Sequence, residues 1–224
     1  MQPKPEKIIA ALERAHPDAK LELDFSSPLE LLVALILAAQ CTDAKVNEVT
    51  KTLFKRYRSA KAFAAAEQEE LEAAVRQTGF YRQKAKAVRA CCREIVERFG
   101  GKVPADLEAL LTLPGVGRKT ANILLGNSFG VPGIGVDTHV GRLSQRLGLT
   151  RNTDPDKIEA DLTAIVPPGS QVRFCHLMQY HGRRVCHSRK PDCPRCVVRR
   201  MCPYPDKTPE APPPKASPTR SRWV

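Results

Sequence analysis

Apolar positions fall at helical spacing along most of the chain, and they predict an all-α protein. Residues 5–16 form an amphipathic helix through Ile8, Ile9, Leu12 and Ala15, ended by His16-Pro17. Ser27-Pro28-Leu29-Glu30 is a capping-box pattern with proline at the first helical position. The helix it opens, Pro28 to about Gln40, is apolar nearly all round and is expected at the centre of a core. Thr42 or Asp43 caps the next helix, which carries Val46, Val49, Leu53 and Phe54. Further helices are predicted at 60–66, 68–77, 81–99 and from Arg118 to Phe129. Three more follow: one opened by Asp137, one at 155–165 and one at 171–184. Beyond Tyr204 the proline density prevents regular structure, so 205–224 reads as a disordered basic tail.

Composition narrows the class. The 224 residues suffice for one domain or two small ones. A net charge of +12 and a pI of about 9.5 favour a polyanionic partner, with nucleic acid the default. The longest apolar run, Leu31 to Ala39, is too short for a bilayer, and the first 20 residues show no apolar signal segment. The expectation is a soluble, intracellular, cytoplasmic protein with no membrane partner. Eight cysteines in such a chain argue for metal ligands rather than disulfides.

The chemistry is concentrated in Leu113-Pro-Gly-Val-Gly-Arg-Lys-Thr-Ala121. A Gly-x-Gly turn that opens a helix leaves backbone N–H groups pointing outward, which makes a phosphate cradle. Lys119 lies in the first turn, where the helix dipole opposes a positive charge, and a neutral lysine amine is a nucleophile. Val136-Asp137-Thr138-His139 follows. Asp137 reads as an N-cap, a role compatible with chemistry, and His139 as a packing or hydrogen-bonding residue. Gly79-Phe80-Tyr81-Arg82 puts an aromatic at a glycine turn before a basic helix, either a plug or a wedge for the base stack. Gln40 is a polar residue ending an apolar helix. Cys186, Cys193, Cys196 and Cys202 form a C-x6-C-x2-C-x5-C array, whose geometry suits zinc or a [4Fe–4S] cluster. Cys91 and Cys92 lack ligand spacing; one is read as core and the other as incidental.

These motifs together resemble the endonuclease III family of helix-hairpin-helix DNA glycosylases, from about Ser27 to Cys202. The resemblance implies a two-lobed fold with a C-terminal [4Fe–4S] cluster loop. Residues 21–133 would form the helical lobe carrying the hairpin, and 1–20 with 134–204 the cluster lobe. It implies Lys119 as the nucleophile, assisted by Asp137, and the four cysteines of the array as cluster ligands. Leu113, Gly115, Val116, Gly117 and Arg118 of the hairpin would grip DNA. Gln40 would fill the gap left by an extruded base, and Phe80 stands where the family commonly has a leucine wedge. His139, Arg189, Lys190 and Arg195 complete the expected DNA contacts. The implied activity is bifunctional: removal of oxidised pyrimidines such as thymine glycol from duplex DNA, then strand cutting by β-elimination, by a monomer. Two alternatives are an adenine-excising sister branch and a non-catalytic DNA-binding protein. The first is opposed by Lys119, by the lack of an acid in Leu35–Ala39 and by the lack of an extra C-terminal domain; the second leaves the Lys119 and Asp137 pair unexplained.

Overall fold

Capping chemistry sets where the helices begin. In the computed structural model, which describes residues 4–209, the Ser27 hydroxyl accepts from the Glu30 amide at 3.2 Å and opens α2 (Pro28–Leu37). Glu30 Oε2 reaches back to accept from the Ser26 amide at 2.7 Å, so the box closes one residue upstream of the cap. Thr42, Ser59, Asp106, Asp137 and Asp154 cap in the same way α3 (Asp43–Arg56), α4 (Ala60–Ala64), α7 (Leu107–Leu111), α9 (Thr138–Arg146) and α10 (Pro155–Ile165). The remaining helices are α1 (Pro5–Ala15), α5 (Gln68–Val75), α6 (Tyr81–Phe99), α8 (Arg118–Leu124) and α11 (Gln171–Arg184). Among the described residues there is no β-strand.

The apolar faces meet in two separate cores. One gathers α2 to α8 around Leu31, Leu32, Leu37, Phe63, Leu71, Ile95, Leu110 and Leu124. The other gathers α1 with α9 to α11 around Ile8, Leu12, Ile134, Leu143, Leu162 and Phe174. The N-terminal helix thus packs against the C-terminal half of the chain. The crossing between the cores, 130–136, hugs α8. Asn122 Nδ2 donates to the Ile134 carbonyl at 3.1 Å, and a Cβ on Gly135 would lie 2.7 Å from Ile123 Cγ1.

Five features depart from the sequence expectation. The predicted 118–129 helix is α-helical only to Leu124, and Leu125–Phe129 is a π-helical turn. Gly126 packs there against Val172 of α11, so close that a Cβ would sit 2.5 Å from its methyl group. The long helix from Pro28 ends at Leu37, because the chain turns into a left-handed residue at Gln40. The five-residue α7 was not foreseen; it depends on the Asp106 cap more than on any periodicity. Cys91 and Cys92 are both core residues at 1% exposure, so neither is incidental. Finally, the first residues of the expected tail are anchored. The Thr208 hydroxyl donates to the Pro191 carbonyl and accepts from the Cys193 amide at 3.1 Å. Residues 210–224 of that expected tail lie outside the described residues.

Candidate functional site

The hairpin is built by close packing. Gly115 adopts φ 79°, in the left-handed region, and a Cβ there would lie 3.1 Å from Ala87 Cβ of α6. Leu113 and Val116 are buried at 3% and 7% exposure, so their side chains anchor the turn from within. Gly117 is the N-cap of α8, a helix with neither a side-chain cap nor an acid in its first turn. Its opening amides are left to an external acceptor.

Lys119, in the first turn of α8, and Asp137, the N-cap of α9, line a single open cavity. Val136, Thr138, Gly141, Arg142 and Gln145 share its wall. Lys119 stands on a helix of the first core and Asp137 on a helix of the second, so the cavity lies where the two meet. Asp137 Oδ1 accepts from the His139 amide at 2.8 Å and the Val140 amide at 2.7 Å. Its other oxygen makes no hydrogen bond to the described chain. His139 is turned away from this cavity. Its Nδ1 lies 3.1 Å from Arg142 Nη2, and its ring packs on Gly182 of α11. Burial, with Arg142 and Arg183 nearby, holds its imidazole below the usual range despite the pull of Asp137.

Arg118 is engaged by the protein itself. Its Nε and Nη2 donate to Glu159 of α10 at 3.2 and 2.8 Å, in a fork that joins the two cores beside Lys119. A second arginine also joins residues packed in the two cores. Arg183 of α11 pairs with Asp43 of α3 at 2.8 Å and with Glu22.

Backbone strain falls on the expected DNA contacts. Among the described residues only Gln40, Phe80 and Lys190 are non-glycine residues with positive φ, at 53°, 46° and 49°. Such a conformation costs on the order of 1–2 kcal/mol per residue, persists only where the surrounding structure holds it, and is enriched at functional sites. Phe80 is 60% exposed, and Gln40 and Lys190 are exposed as well. Arg189 is exposed; Arg195 is exposed but ion-paired to Asp192.

Cys186, Cys193, Cys196 and Cys202 line one cavity at the base of α9 and α11. Yet among the described residues no three His, Cys, Asp or Glu side chains converge as ligands of one metal ion would. Four thiols lining one void are the soft donor set that a structural zinc and an iron–sulfur cluster share. Burial pushes the Cys196 thiol up to about 11 and the Cys202 thiol upward as well. Such thiols ionise when a metal takes the place of the proton. The surroundings are ready for charged sulfur. Arg146 Nη1 lies 3.2 Å from Cys186 Sγ and His181 Nε2 lies 3.3 Å from Cys196 Sγ. Arg146 also grips the His187 and Ser188 carbonyls at 2.7 and 2.9 Å, and Arg142 the Cys186 carbonyl at 2.9 Å. These arginines were missed in the sequence. The available signal was their i, i+4 spacing on the helix that Asp137 opens.

Comparison with known proteins agrees with this geometry. Residues 33–168 match the family model of the HhH-GPD superfamily base excision DNA repair proteins. An endonuclease III from Synechocystis sp. is 50% identical over 198 residues, covering 88% of this chain and 90% of that protein. The structure of a non-covalent endonuclease III–DNA complex superposes with a TM-score of 0.84 at 41% identity, covering 89% of this chain and 95% of that one. A trapped endonuclease III–DNA covalent intermediate superposes equally well, with a TM-score of 0.84 at 41% identity, covering 89% and 96%. The chain belongs to the endonuclease III family of HhH-GPD base excision DNA repair proteins.

Proposed function

We propose that this chain is a bifunctional DNA glycosylase and AP lyase that removes oxidised pyrimidines of the thymine glycol type from duplex DNA. One observation carries the reading: an amine and a carboxylate from two different cores face one open cavity beside an uncapped hairpin helix. A covalent endonuclease III–DNA intermediate calls for a protein nucleophile, and Lys119 is the lysine at this cavity.

The hairpin amides take a phosphate and bring the damaged nucleotide to the cavity mouth. Phe80 enters the stack and Gln40 occupies the space of the extruded base. The Lys119 amine attacks the sugar C1′, its lone pair forms the new C–N bond, and the base departs with the electron pair of the glycosidic bond. Ring opening gives a Schiff base. Loss of a C2′ proton then expels the 3′ phosphate, which cuts the strand. Asp137 acts through the oxygen that the helix amides do not occupy. It stabilises positive charge developing on the sugar and moves protons to and from the amine.

Cys186, Cys193, Cys196 and Cys202 would hold a [4Fe–4S] cluster. When bound, it supplies a rigid charged scaffold for the basic loop. Arg189, Lys190 and Arg195 on that loop add phosphate contacts. The enzyme works as a monomer on chromosomal DNA inside the cell. Replacing Lys119 by glutamine tests the assignment. Cutting of a thymine glycol duplex should vanish while duplex binding stays; undiminished cutting removes Lys119 as nucleophile.

A further inference from the structure

Lys84 is a buried cation that the reaction above does not use. It lies in the first turns of α6 at 5% exposure, and among the described residues no carboxylate pairs with it. Burial lowers its pKa, and the Cys41 thiol of the α2–α3 loop is the titratable group that pulls the other way. A buried lysine without a counter-ion is costly, and a methionine would fill the volume more cheaply. The charge is therefore kept for what its ammonium touches.

Its Nζ donates to the Thr78 carbonyl at 2.6 Å, and its backbone amide donates to the Phe80 carbonyl at 3.1 Å. Two bonds from one residue thus bracket the Gly79–Phe80 pair, where both residues have positive φ. The ammonium meets the last carbonyl of the 3-10 turn Arg76–Thr78, the end at which a cation is favoured. Thr78 is itself pinned from below, its hydroxyl donating to the Val75 carbonyl at 2.8 Å. The aromatic ring of Phe80 stands out from this clamped base at 60% exposure.

We propose that Lys84 is a positioning residue for base extrusion, its buried ammonium clamping the Thr78 carbonyl so that Phe80 is held, ring outward, in its left-handed conformation. The inference rests on the reading of Phe80 as the wedge. Clamping lets Phe80 enter the stack without first ordering its loop, so the gain is confined to steps in which a base must be unstacked.

The test compares Lys84→Met, Phe80→Ala and the double variant in the full holoprotein. The readouts are the rate of base excision from a thymine glycol duplex and the fluorescence of a 2-aminopurine beside the lesion. The expected result is that each single variant slows excision and dulls the fluorescence rise by about ten-fold, the worth of one unstacking contact. The double variant should be no slower than Phe80→Ala alone, because a clamp without its wedge has nothing to hold. Losses that multiply in the double variant, or a Lys84→Met protein as fast as wild type, would overturn the role of Lys84 alone. A Phe80→Ala protein with undiminished excision would overturn the wedge reading and the clamp with it. Lys84→Leu likewise removes the donor from an apolar site and carries the same comparison if the methionine variant does not fold.

Discussion

One carboxylate oxygen is enough to cap a helix. Asp137 gives Oδ1 to two amides of α9 and leaves the other oxygen for the cavity. Asparagine keeps the capping oxygen and removes the charge. Asp137→Asn should therefore keep its melting temperature within the few degrees that about 1 kcal/mol represents and slow excision at least about a hundred-fold. A variant that binds DNA poorly but turns over normally would mark Asp137 as a cap and nothing more. A second residue-scale effect concerns pH. Burial, with Arg173 beside it, pushes the His176 imidazole down to about 4 in the folded protein. The unfolded chain binds that proton near pH 6.5, so between there and about 4 the unfolded state holds more protons. Stability then falls as pH falls, by at most about 1.4 kcal/mol per pH unit for this group, and is unaffected by it above about 6.5. Denaturant midpoints of wild type and His176→Gln between pH 7 and 4 should converge if this holds, and run parallel if His176 plays no part.

Among the elements, α8 is the hinge of the architecture. Its core face packs with the first core, its Arg118 grips Glu159 of α10 in the second core, and its Lys119 lines the same cavity as Asp137. The ion pair is partly exposed, at 40% and 13%, so after solvent screening its direct worth is below about 1 kcal/mol. Its larger effect is on the placement of Lys119. Arg118→Glu and Glu159→Arg should each lower kcat several-fold with little change in melting temperature, and the doubly swapped protein should recover most of the loss. No recovery would return Arg118 to the role of a simple phosphate contact. Gly115→Ala tests the hairpin in the same way. Its positive φ and the 3.1 Å approach to Ala87 predict a loss of about 1–3 kcal/mol in denaturant unfolding. Helix existence was legible in the sequence wherever a cap and a periodic face coincided, as at α2, α9 and α10. The π-helical turn was not, because Gly126 looks like any helical glycine until Val172 of α11 is packed on it. Lys84 was illegible for a related reason. In the sequence it is one of several cations on a basic helix, and only the fold buries it.

Across the whole molecule, the net charge and the proposed phosphate contacts of the cysteine loop make separate predictions about DNA binding. The excess of +12 predicts that affinity for undamaged duplex falls steeply as salt rises. If the proposed [4Fe–4S] cluster is bound, Cys193→Ser should cost its visible absorption and flatten that salt dependence by about one unit of log–log slope for each phosphate that the basic loop no longer neutralises. An unchanged slope would separate the loop from DNA. The four cysteines and the Lys119 and Asp137 pair were readable because each belongs to a compact motif. The arginines behind the cysteines and the two interlobe ion pairs were not, since their partners lie about 40 residues or more away in the chain. The most direct measurement of the central claim is borohydride trapping on a thymine glycol duplex, wild type beside Lys119→Gln. A covalent protein–DNA adduct with wild type and none with the variant is the predicted result. An adduct of equal yield with the variant, or none with a wild-type protein that carries its cluster, would contradict Lys119 as the amine that forms the Schiff base.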